Sequence, residues 1–182
     1  MENFAPNDNM LTLISGKDQT KVEIFRSSTR LSGLLKNILE EYSEEKELSI
    51  PEIDGEYLKH IADFLNHYKD TDPKEVQKPL EKYDIASLYG EWEDNFISQF
   101  STDKKYMWGL MEAANFLDCK ALLELSASKI ACSIKSLSGN EMLEYFELEE
   151  DMTEEDVRKM EDDFEKEMEE KRKEEFNALI SK

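Results

Sequence analysis

The side chains best suited to chemistry are few: two histidines, His60 and His67, and two cysteines, Cys119 and Cys132. The histidines stand seven positions apart in a segment of helical periodicity, so they can share a face, and two imidazoles on one face are half of a metal site. No cysteine or third histidine accompanies them, which makes solvated or half-buried structural histidines the better reading. The cysteines lie in apolar helical patterns without metal-ligand spacing and read as buried thiols in a reducing compartment, not as a disulfide or a zinc site. The 43 aspartates and glutamates fall mostly in runs, where charges face water and keep ordinary acidities, so no acid–base pair can be singled out. None of G-x-x-x-x-G-K-[ST], G-x-G-x-x-G, G-x-S-x-G or H-E-x-x-H occurs, and six glycines leave little material for a phosphate-cradling loop. The expectation is a chain with no catalytic residues, no cofactor and no metal.

A formal net charge of -20 argues against nucleic acid and anionic membranes, both repelled by a strongly acidic surface, and points to proteins as partners. No apolar run approaches the roughly 18 residues of a spanning helix, and the start Met1-Glu2-Asn3-Phe4-Ala5-Pro6 lacks a basic and an apolar region. The chain is expected in the cytoplasm, the nucleus or both. An apolar content of 39% suffices for one modest core.

The elements that must position any site can be read from periodicity. Met10 to Ile14 and Lys21 to Phe25 are β-prone runs joined by a turn-rich link, which predicts a hairpin. Leu31, Leu34, Leu35, Ile38, Leu39 and Tyr42 form the stripe of a helix with one buried face, with Ser27, Ser28 and Thr29 as potential caps. Leu48-Ser49-Ile50 predicts a short third strand, and Leu58, Ile61, Leu65 and Tyr68 a helix opening at Asp54-Gly55. Residues 69–84 read as a solvated, mobile acidic loop. Trp92 and Phe96 then return the chain to the core. Met107, Leu110, Met111, Ala114 and Leu117 mark one helix, and Leu123, Ala127, Ile130 and Ile134 the next. Gly109 inside the first of these suggests the close approach of some backbone. Met142, Leu143 and Phe146 predict a short helix, and Thr153-Glu154-Glu155-Asp156 a capping-box start to a last one carrying Val157, Met160, Phe164 and Met168. Past Glu165 the chain is almost purely charged, with i,i+4 pairs that suit a solvated arm.

The stretch Glu112-Ala113-Ala114-Asn115-Phe116-Leu117-Asp118-Cys119-Lys120-Ala121-Leu122-Leu123 is a small-residue helix, a tight break near Asp118 and a second apolar helix. It resembles the A-A-N-[YF]-L-D-x-K-x-L-L signature of the Skp family, adaptor subunits that hold F-box proteins onto cullin-RING ubiquitin ligases. Asn66-His67-Tyr68-Lys69-Asp70, Trp92 with Phe96, Ser138 to Leu148 and Asp151-Met152-Thr153-Glu154-Glu155 are similar to that family's motifs in the same order. Phe116 stands where the family commonly has tyrosine, and Phe164 where it has a tryptophan one place earlier.

The resemblance implies an α+β class and a BTB/POZ fold: a small three-stranded sheet with helices, followed by C-terminal helices that bind an F-box. The organisation it suggests is an arm over 1–9, the BTB/POZ domain over 10–134, an F-box-binding extension over 135–168 and a charged helical tail over 169–182. By matching position, Asn115 and Phe116 are the cullin candidates, and Leu123, Ile130, Ile134, Leu143, Phe146, Val157 and Phe164 the F-box candidates. Two roles stay open, a ubiquitin-ligase adaptor and a structural subunit bound to one F-box protein in a large assembly. A weak homodimer of the free chain is a further alternative.

Overall fold

β1 (Met10–Ser15) alternates half-buried and buried residues along its whole length, the mark of a strand with one face on a core. It pairs antiparallel with β2 (Lys21–Phe25), placing Leu11 opposite Ile24, and parallel with β3 (Glu47–Ile50), placing Leu13 opposite Leu48. The sheet order is β2-β1-β3, and its buried face carries Leu11, Leu13, Ile24, Leu48 and Ile50. The class is therefore α+β with a three-stranded sheet, as the resemblance implies. The structure, a computed structural model, describes residues 9–80 and 82–147 and the separate positions 158, 159, 164, 166 and 168.

The helices are α1 (Gly33–Glu41), α2 (Gly55–His67), α3 (Ile85–Leu88), α4 (Glu91–Ser98), α5 (Lys104–Phe116), α6 (Lys120–Ile134) and α7 (Gly139–Phe146). In α2, Leu58, Ile61, Leu65 and the following Tyr68 are all buried, as their spacing predicts, and Phe64 joins them. The amide of Asn66 brackets the free edge of β2, accepting from the Phe25 N–H and donating to the Glu23 carbonyl, both at 2.9 Å. An edge strand is thereby covered by a side chain instead of another strand. Trp92 and Phe96 stack on one another and extend the Phe64 and Tyr68 cluster, so the expected return of the chain to the core occurs there.

Residues 70–84 hold neither helix nor strand at their described positions and are mostly exposed. Their start is tied down by Arg30, whose guanidinium donates to the carbonyls of Tyr68 and Thr71 and pairs with Asp72 at 3.1 Å.

The helix expected over Leu31 to Tyr42 departs from its sequence reading in two ways. Arg26–Leu31 is a 3-10 turn in which the hydroxyls of Ser28 and Thr29 donate back to the carbonyls of Phe25 and Arg26, so neither caps the helix. The cap is Ser32, which accepts from the Leu35 N–H at 3.2 Å. Only Leu35 of the stripe is fully buried, while Tyr42 is 59% exposed, because the helix runs along the periphery.

Ser32 also donates to the Leu117 carbonyl at 2.6 Å, 85 positions away, and thus welds the start of α1 to the end of α5. Its hydroxyl is fully buried and serves both as cap and as tertiary bond. We expect Ser32→Ala to lower stability by about 1–3 kcal/mol, seen as a lower urea midpoint at an unchanged denaturant slope. An unaltered midpoint would show that the weld is carried by the neighbouring backbone bonds alone.

The chain divides into two units, the first ending at Lys135 and the second beginning at Ser136. In the second, α7 opens with a capping box in which the Ser138 side chain accepts from the Glu141 N–H and the Glu141 carboxylate accepts from the Ser138 N–H at 2.7 Å. The expected capping start at Thr153, the helix positions Val157 and Met160, the arm 1–8 and the tail 169–182 lie outside the described residues. Positions 158, 159, 164, 166 and 168 are helical.

Candidate partner-binding surfaces

The residues with chemical potential are placed structurally. His67 stacks flat on Trp92, ring centres 3.5 Å apart and 4° from parallel, and His60 packs edge-on against Phe100 at 4.6 Å. They are the structural histidines expected from the sequence. Cys119 is buried and its thiol is pushed up to about 11 by that burial; desolvation also raises Cys132, which is half-buried instead of buried as expected. A nucleophilic cysteine requires the opposite shift. Among the described residues no group of three or more His, Cys, Asp or Glu could hold a metal ion.

What the structure does present is surface. α5 ends in a left-handed residue, Asp118, at φ 49°. The Asp118 N–H returns to the Asn115 carbonyl at 3.0 Å and the Cys119 N–H to the Ala114 carbonyl at 2.8 Å, the paired bonds of a Schellman motif. Ala114 and Cys119, the residues at its two ends, are both buried. This explains the composition of the break: small Ala113 and Ala114 face inward, Asp tolerates the left-handed conformation, and the last outward turn holds Asn115 and Phe116. Phe116 is 40% exposed, and the Asn115 amide has no hydrogen-bond partner among the described residues. The cap uses only the backbone of Asn115, which leaves its side chain available to a partner.

α6 carries apolar residues on more than one face, and this corrects the sequence reading of its core. The residues turned inward are Leu122, Leu125, Ser126, Ser128 and Ile130, a face that shares only Ile130 with the expected Leu123, Ala127, Ile130 and Ile134. Of the latter only Ile130 is buried; Leu123 and Ile134 are half-buried and Ala127 is exposed. Periodicity alone cannot choose between two parallel apolar stripes, since both repeat with the helix. The structure brings the candidates Leu123 and Ile134 together on the outer stripe. In the second unit, Leu143 and Phe146 are half-buried on α7, Phe164 is 64% exposed on a helical position, and Val157 lies outside the described residues.

The sequence reading missed a groove of about 580 Å³ beside Phe116, floored by Ile53, Tyr57, Gly109 and Ala113. Its one trace in the sequence was Gly109. The close approach expected there does occur, but by a side chain and not by backbone: a Cβ on Gly109 would lie 2.2 Å from the Tyr57 hydroxyl.

No family model matches the chain. It is 29% identical to the S-phase kinase-associated protein 1 homolog of Tetrahymena thermophila over 135 residues, covering 74% of this chain and 80% of that protein. It is 30% identical to the E3 ubiquitin ligase complex SCF subunit sconC of Arthroderma benhamiae over 149 residues, covering 81% and 88%. With the protein of the same description from Talaromyces stipitatus it shares 29% over 144 residues, covering 79% and 88%.

Proposed function

This chain belongs to the Skp family, and from that premise we propose that it is an adaptor without catalysis of its own, linking F-box substrate receptors to a cullin scaffold in an SCF-type E3 ubiquitin ligase. The observation that carries the reading is the second apolar stripe of α6, where Leu123, Ala127 and Ile134 remain partly or wholly exposed beside a complete inner stripe. An apolar stripe left partly in contact with water marks a protein-binding surface. Leu123, Ile130, Ile134, Leu143, Phe146, Val157 and Phe164 are assigned to the F-box, with Ile130 supporting the surface from within. Asn115 and Phe116 are assigned to the cullin, on the exposed last turn of α5.

The test is co-expression with F-box segments. A ligand that binds only the native state stabilises it by mass action, by about 2.7 kcal/mol when present at a hundredfold its dissociation constant. A stable complex with a raised and ligand-dependent melting temperature is expected. If a panel of F-box partners gave no complex and the free chain stayed a non-aggregating monomer, the adaptor reading would fail.

A further inference from the structure

The groove beside Phe116 has features beyond a generic contact surface. Its lining includes the apolar side chains of Ile53, Ala113 and Phe116 beside the ring of Tyr57, and its volume, about 580 Å³, admits a large side chain. Its rim is acidic: Glu52, Asp54 and Glu112 carry three carboxylates against the single ammonium of Lys17, which is already paired with Asp54 at 2.9 Å. Glu52 and Glu112 are exposed and leave the rim with excess negative charge.

We propose that this groove is the specificity pocket of the scaffold-binding surface, and that it takes one large apolar side chain of the cullin flanked by lysine or arginine. The proposal rests on the adaptor reading, because Phe116, a cullin candidate, forms one wall of the groove. Charge complementarity selects the occupant, since an acidic rim favours basic flanks and rejects acidic ones. Shape is set by a second device. Tyr57 fits against α5 only because residue 109 has no side chain, with its hydroxyl and ring end in the space a Cβ would fill. Gly109→Ala should therefore push the Tyr57 ring out of its seat and alter the floor. The displaced atoms are the free end of a side chain, and alanine is the better helix former, so the variant should still fold.

The experiment is calorimetric titration of purified cullins into the full-length chain bound to an F-box protein. The variants are Glu52→Lys with Glu112→Lys, and Gly109→Ala. We expect the charge-reversal variant to bind cullin at least tenfold more weakly with a reduced salt dependence, and Gly109→Ala to bind several-fold more weakly with its salt dependence kept. F-box affinity should stay within twofold for both. If both variants bound cullin like the unaltered chain while Asn115→Ala with Phe116→Ala did not, the pocket proposal would be overturned and the adaptor reading would stand. If the unaltered complex bound no cullin, the scaffold link itself would fall and the pocket with it. An equal loss of F-box binding would also overturn the proposal, since the variants would then be acting through the fold.

Discussion

Replacing Leu123 and Ile134 together by aspartate should abolish tight F-box binding, with a loss of a hundredfold or more, about 2.7 kcal/mol. Both side chains sit on the outer stripe of α6, where the free chain leaves them half-buried and in partial contact with water. A carboxylate there is solvated in the free protein and must be stripped of water in the complex, and desolvating an unpaired charge is costly enough to defeat an apolar interface. The same change on the inner stripe has a different consequence. Leu122 is fully buried, so Leu122→Asp should unfold the chain and lose every partner at once. Circular dichroism and the melting temperature separate the two cases. Retained F-box affinity in a folded Leu123→Asp, Ile134→Asp chain would sink the assignment of α6.

Changing Asn115 and Phe116 together to alanine should weaken cullin binding by about 2 kcal/mol or more, the size of a small interface hot spot, while F-box affinity stays as it was. The structural argument is that the Asn115 side chain and the outward part of the Phe116 ring face water. The Schellman motif draws on the Asn115 carbonyl and leaves its amide without a partner among the described residues, and Phe116 is 40% exposed. Folding stability should fall by about 1 kcal/mol, from the covered part of the Phe116 ring, while the chain stays folded. Loss of both bindings would mean that the pair belongs to the core. A chain that captures F-box proteins but never a cullin would instead favour the structural-subunit role.

The end of α5 and the faces of α6 were legible in the sequence to different degrees, and the reason lies in the range of the forces that shape them. The helix break after Asn115 and Phe116 could be read from a local string, because a helix end capped by a left-handed residue is built from bonds among Ala114, Asn115, Asp118 and Cys119, whereas the assignment of the pair to a cullin came only from the family resemblance. The hairpin and the third strand were equally local, since alternation along β1 names its buried face without reference to a partner. On α6 this kind of reasoning gave out. Its two apolar stripes have the same period, and only packing against the rest of the unit assigns Leu122 and Leu125 to the inside.

By itself the sequence determined the hairpin, the third strand, the helices α2, α5, α6 and α7, and the absence of the catalytic motifs sought in it, because these follow from periodicity, composition and short motifs; the α+β class came with the family string, and α3 and α4 were not read as helices. Tertiary structure alone decided three things. Ser32, not the earlier serines, caps α1, because its hydroxyl finds the Leu117 carbonyl across the fold. Gly109 is a seat for Tyr57, because α2 and α5 bring them together. The outer stripe of α6 stays partly in contact with water because the inner one already meets the core, and a helix with apolar residues on more than one face can turn only one of them toward that core.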